Sequence, residues 1–198
     1  MPTLPAAILS QAQSLPEGGV LLPKMFLHLA KRPAVDQAFS RLTKNGRLQR
    51  VERGAYVVPV SGRFGPRAPA VGKVIKALAA ERGKIIVPHG ASAANSLGLT
   101  RQVPIREVYL TNGRTRKLKL GRSEVLIKRS PYWMLSLGTG QAGEAVRALA
   151  WMGPKQANKA VASLRLSLPN PEWQELTAAR AMLPDWMARA IGKEMVRD

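Results

Sequence analysis

Apolar residues recur at Val35, Ala38, Phe39 and Leu42, the i, i+3, i+4, i+7 spacing that lays one apolar stripe along a helix. Pro33 suits the first helical turn and Asn45-Gly46 the stop, so the spacing predicts a helix over about 33–45. Its opposite face carries Gln37, Ser40, Arg41 and Lys44, side chains able to hydrogen-bond base edges or phosphates. Beyond the stop, Leu48, Val51, Tyr56 and Val58 are strand formers, and Glu52-Arg53-Gly54 between them can supply the positive φ of a tight hairpin.

Upstream, Leu4, Ile8, Leu9 and Leu15 predict a first helix, ended by Pro16 and Gly18-Gly19. Val20–Leu22 follows as one short strand, and Pro23 opens a second helix to Leu29 with Met25, Phe26 and Leu29 inward. Helix, strand, helix, helix, hairpin is the order of a winged helix-turn-helix, expected over 1–60 with the third helix in the major groove and the hairpin on the backbone. The plain alternative is an α-β-β fragment whose basic residues are solvated surface.

The Gly- and Pro-rich stretch 61–69, SGRFGPRAP, reads as a linker and domain boundary. A second domain is expected over 70–198. Val71, Val74, Ile75 and Leu78 mark a helix over 70–82, Lys84–Val87 a short strand, and Ala91–Leu97 a helix of small residues closed by Gly98. Three antiparallel strands are predicted at 106–111, 116–120 and 124–129, with turns at Asn112-Gly113 and Gly121. From about 136 the pattern turns helical: 142–152, 155–166, 172–182 and 185–196, divided by prolines. The expected fold class is α+β: an N-terminal winged helix, then a domain with a small antiparallel sheet and a helical C-terminal tail.

Charge sharpens this outline. The chain has 198 residues with 31 Lys and Arg against 12 Asp and Glu, a net +19, and such self-repulsion points to a polyanionic partner. Residues 1–130 hold 23 basic and 6 acidic groups, a net +17, so the excess lies in the first two-thirds. No apolar run approaches the length of a spanning helix, the N-terminus lacks the pattern of a secretory signal, and cysteine is absent. A cytoplasmic protein without membrane association is expected. Lys31, Arg32, Lys44, Arg47, Arg50, Arg53, Arg63 and Arg67 are the expected phosphate contacts, with Gln37, Ser40 and Arg41 reading bases. Arg116, Lys117, Lys119, Lys128 and Arg129 suggest a second basic surface on the strands.

The segments RLTKNGRLQRVERGAYVVP, IIVPHGASAANSLGLTRQVP and VYLTNGRTRKLKLG together resemble the AbiEi-type antitoxins of type IV toxin-antitoxin systems, over roughly residues 4–130. The resemblance implies a DNA-binding autorepressor whose second domain counteracts a nucleotidyltransferase-like toxin. It also implies an inverted-repeat operator in double-stranded DNA, with two copies of the chain associating on one site. Residues 131–198 carry no such likeness.

Catalysis finds little footing. The acidic residues of the first 130 positions, Glu17, Asp36, Glu52, Glu81, Glu107 and Glu124, have none of the clustered spacing that metal-dependent phosphodiester chemistry needs, and His28 and His89 are far apart in sequence. No enzyme activity, metal or cofactor is expected. His89, ahead of Gly90 and a helix, reads as a helix start, with anion docking as the alternative. A general nucleic-acid binder using the sheet at 106–129, or a stand-alone regulator without antitoxin activity, remains the competing function. Tyr109 is the only aromatic residue on that sheet, which disfavours stacking on single strands.

Overall fold

The computed structural model describes residues 3–63 and 65–196. The chain is a mixed α+β protein with small antiparallel sheets and a helical C-terminal tail. Helix α1 (Leu4–Ser14) buries Ile8 and Ala12, and strand β1 (Val20–Leu21) follows. The expected second helix is instead a single 3-10 turn, Pro23–Phe26. Lys31, as the N-cap of the next helix, is extended (ψ 149°), so few residues are left for a helix after Pro23. Leu29, expected inward, is half exposed.

Helix α2 (Arg32–Lys44) buries Val35, Ala38, Phe39 and Leu42, the predicted stripe. Gly46, at φ +68°, turns the chain into β2 (Gln49–Glu52) and β3 (Ala55–Val57). These join β1 in a three-stranded antiparallel sheet of order β1-β3-β2, with an irregularity between Arg50 and Glu52. Phe39 anchors the helix to this sheet: its ring lies 5.6 Å from Phe26 and 4.7 Å from Tyr56.

The stretch expected to be a linker is partly ordered as a hairpin, β4 (Val60–Gly62) and β5 (Gly65–Arg67), paired Val60 to Arg67; Phe64 lies outside the described residues. Helix α3 (Val71–Arg82) comes next. Beyond it stand β6 (Ile86–Pro88), α4 (Gly90–Ser96), β7 (Val108–Thr111), β8 (Arg116–Leu120) and β9 (Ser123–Arg129). The tail is α5 (Gln141–Met152), α6 (Ala157–Ser167), α7 (Asn170–Ala178) and α8 (Asp185–Met195).

The chain divides into two compact units, but not at 61–69: Met1–Lys84 with Arg116–Leu126 form the first, and Ile85–Thr115 with Ile127–Asp198 the second. Polar contacts explain why α3 stays with the N-terminal elements. Glu17 accepts from the Ala70 amide at 3.2 Å and pairs with Lys73, while Gly18 lies so close to α3 that a Cβ there would stand 2.6 Å from Lys73 Cβ. Strand β8 is tied to the same unit by Arg116, which meets Glu52 of β2.

In the second unit β6 and β7 pair antiparallel, Ile86 to Thr111 and Pro88 to Tyr109. Buried Thr111 donates its hydroxyl to the Ile85 carbonyl at 2.7 Å. Small residues Gly90, Ala93 and Ala94 bring α4 onto α5 at Ala148. The tail helices close around Val146, Leu149, Val161, Leu164, Trp173, Leu176 and Met187. Glu172 reaches from α7 to accept the Ala142 amide at 2.6 Å, and Arg165 stands 5.5 Å from the Trp173 ring centre.

Candidate nucleic-acid interface

In the first unit, α2 and the β2-β3 hairpin enclose an open groove of about 620 Å³ lined by Arg32, Asp36, Ser40, Thr43, Lys44, Arg50, Arg53, Gly54 and Tyr56. Four cations and one carboxylate border it. The helix contributes one long side because residues four apart stack on a single face. The hairpin contributes the other because Arg50 and Arg53 project from β2 and from the turn held by Gly54 at φ +71°.

Gln37, Ser40, Arg41 and Lys44 are all exposed on α2, at the i, i+3, i+4, i+7 spacing of one outward ridge. Ser40 and Lys44 also line the groove; Gln37 and Arg41 lie on the ridge beside it. Arg32 is engaged by Asp36 in a bidentate contact, Nε to Oδ1 at 2.9 Å and to Oδ2 at 2.8 Å. Lys31, at the N-cap of α2, and Arg47, just past its end, are exposed and outside the groove. Arg50 keeps an exposed side chain, its Nε donating to the Glu52 carbonyl at 3.3 Å.

Asp36, Thr43 and Tyr56 also line the groove, beyond the residues expected from charge and helix face. Asp36 and Thr43 follow from helical spacing, on the Ser40 side of the helix, whereas Tyr56 depends on its register opposite Arg50. The hairpin's carboxylate, Glu52, turns away from the groove toward Arg82 and Arg116, so it does not offset the cations there.

Two groups of expected contacts have other neighbours in the fold. Arg67 bonds the Ala68 carbonyl at 3.2 Å and lies 3.8 Å from Glu17, so it is drawn to the base of α3; Arg63 is exposed on the adjoining turn. The five strand cations do not act as a set. Arg116, only 18% exposed, is spent on Glu52; Lys117 pairs with Glu124 at 2.8 Å; Lys119 is exposed beside it on β8. Lys128 and Arg129 belong to the second unit and border a different cavity. Alternation along β8 decides this division, since Leu118 and Leu120 are buried while Lys117 and Lys119 face outward.

His89 caps the start of α4, its Nδ1 accepting the Ala91 amide at 3.3 Å. Among the described residues, no group of three or more His, Cys, Asp or Glu side chains could hold a metal ion, and no helix is long and apolar enough to cross a membrane.

Residues 7–165 match DUF6088, a family of unknown function. The chain belongs to that family. The match spans the groove, most of the first compact unit and the second unit as far as α6, leaving α7 and α8 outside. No curated protein and no solved structure matches the chain.

Proposed function

We propose that this DUF6088 protein is a sequence-specific duplex-DNA-binding repressor that works through a winged helix-turn-helix formed by residues 1–60. The observation that carries the reading is the cationic groove between α2 and the hairpin, bordered by Arg32, Lys44, Arg50 and Arg53 and flanked by the exposed ridge of Gln37, Ser40 and Arg41. An isolated α-helix fits the major groove, and a hairpin beside it can follow the sugar-phosphate backbone. The short 3-10 turn at Pro23–Phe26 then serves as the abbreviated first helix of the motif.

The resemblance to AbiEi-type antitoxins extends the proposal: the repressor is the antitoxin of a type IV operon, and its second unit opposes a nucleotidyltransferase-like toxin. Binding to the chain's own upstream region tests the first part. Arg50→Ala should weaken binding to every duplex and reduce the salt slope by about 1, whereas Gln37→Ala should alter base preference at one position by about 1–3 kcal/mol. A wild-type protein that does not hold its upstream duplex against random competitor by at least ~10³ is a general binder instead. Growth rescue by the chain against the product of the adjoining gene tests the second part, and failure of rescue removes the antitoxin role while leaving the repressor reading intact.

A further inference from the structure

Helix α5 is buried nearly all round, yet its centre holds an arginine. Arg147 is 1% exposed. Its Nη1 donates to the Gly138 carbonyl at 2.8 Å and weakly to the Met134 carbonyl at 3.4 Å, while Nε and Nη2 have no hydrogen-bond partner among the described residues. Burial lowers its pKa to about 10, partly offset by Glu144, so the group is charged at neutral pH. Glu144 directs Oε2 to the Ser96 hydroxyl at 2.9 Å, and no ion pair joins it to Arg147. A buried guanidinium with two idle donors is costly unless something else completes it.

Arg147 lines a cavity of about 220 Å³ that lies wholly within the second unit. His89, Lys128, Arg129 and Ser130 border it, with Met134, Leu110 and the partly exposed Trp151 as apolar wall. His89 uses Nδ1 as an acceptor, which leaves Nε2 to carry the proton and donate. Arg147, Lys128, Arg129 and an imidazole N–H therefore line a space with no carboxylate on its lining, while the Ser130 hydroxyl is already used, donating to Met134 Sδ at 3.0 Å. Such a donor set matches a phosphate-sized oxyanion, with Arg147 making charge-assisted contacts in a low-dielectric site.

We propose that this cavity binds the phosphate group of inorganic phosphate or of a small phosphate monoester, with Arg147 as its buried anchor and Lys128 at its mouth. The site is separate from the groove on α2 and does not depend on DNA binding. Trp151, at the rim, offers an apolar surface to whatever group a monoester carries.

Calorimetric titration of the full chain with inorganic phosphate, and separately with phenyl phosphate, tests this at constant ionic strength set with chloride. One saturable site per chain is expected. Tighter binding of phenyl phosphate identifies a monoester site, and tighter binding of inorganic phosphate a free-phosphate site. Lys128→Gln, at an exposed position that leaves the fold intact, should weaken binding about tenfold, consistent with loss of one charge-assisted contact. Arg147→Gln should abolish it, provided circular dichroism shows a folded chain. Arg53→Ala, on the α2 groove, should leave it unchanged. The proposal is overturned by absence of saturable binding to either probe, by equal binding in wild type and Lys128→Gln, or by an Arg53→Ala loss as large as that of Lys128→Gln.

Discussion

Nε of Arg116 lies 3.1 Å from Oε2 of Glu52, and Nη2 of Arg82 reaches the other oxygen of the same carboxylate. The Glu52 side chain is 9% exposed and the arginines 18% and 31%, so this cluster is far less screened than an ordinary surface pair. It joins β2, α3 and β8 of the first unit. Glu52→Ala leaves two partly buried guanidiniums without their counter-charge, and a loss of about 2–3 kcal/mol is expected. Urea unfolding at constant m reads it directly. A loss under ~0.5 kcal/mol would mean that water already screens the cluster.

Asp36 holds Arg32 on the groove, and both side chains are at least half exposed. The pair is worth only about 0.3–0.5 kcal/mol to the helix, so Asp36→Asn should hardly change stability. Its effect on DNA should be larger. Removing the groove's carboxylate frees Arg32 for a phosphate, which should steepen the salt dependence of random-duplex binding by about 1 and strengthen it severalfold at low salt. Fluorescence anisotropy between 50 and 200 mM salt, a range over which ~6–10 phosphate contacts lose ~10³–10⁵ in affinity, has the needed span. An unchanged slope would mean that duplex does not enter this groove.

The helices were legible in the sequence wherever an apolar stripe repeated over three turns: α2, α3 and the tail helices stand within a few residues of their predicted bounds. The 3-10 turn at Pro23–Phe26 was not, because periodicity over seven residues cannot separate a helix from one turn followed by extended chain. The division between units is not legible in the sequence, for a related reason. Gly and Pro mark a turn, but whether that turn parts two cores depends on distant contacts such as Glu17 with Lys73 and Glu52 with Arg116. Basic residues are legible as charge but not as free charge: Arg116 and the exposed Arg67 have carboxylate neighbours that only the fold supplies. The burial of Arg147 is not legible, because one arginine in a run such as AVRALA is ordinarily a solvent-facing residue.

Gly90 should be among the least replaceable positions in the second unit. A Cβ there would stand 2.7 Å from Trp151 Cβ and press on the Arg147 carbonyl, so α4 and α5 would have to part. Gly90→Ala is expected to cost about 1–3 kcal/mol, the range for forced overpacking. Gly72 in α3 is the control. A Cβ there meets nothing within 4 Å, so Gly72→Ala should stabilise by about 0.5–1 kcal/mol through helix propensity. Thermal unfolding of both variants separates a packing constraint from a general preference for glycine, and equal shifts would refute close α4–α5 contact.

Burial, and then the charge of Lys128, holds the pKa of His89 below its ordinary 6.5. The hydrogen bond from the Ala91 amide to Nδ1 acts in the same direction, since protonation at Nδ1 would remove the acceptor. The unfolded chain therefore takes up this proton before the folded one. The stability His89 contributes is complete above 6.5 and is lost as pH falls from 6.5 through the folded pKa. Glu17 does not obscure this window: Lys73 and the Ala70 amide lower its pKa from 4.5, so its contribution is lost only in stronger acid. An NMR titration of the imidazole protons, assigned with a His28→Asn variant, should place His89 below 6.5, and Lys128→Gln should move it upward. A wild-type value at or above 6.5 would contradict the burial and the nearby cation together. Saturating phosphate should also raise it, because an oxyanion in the cavity favours the protonated ring and offsets Lys128, so the same spectrum reports on the ionisation and on occupancy of the site.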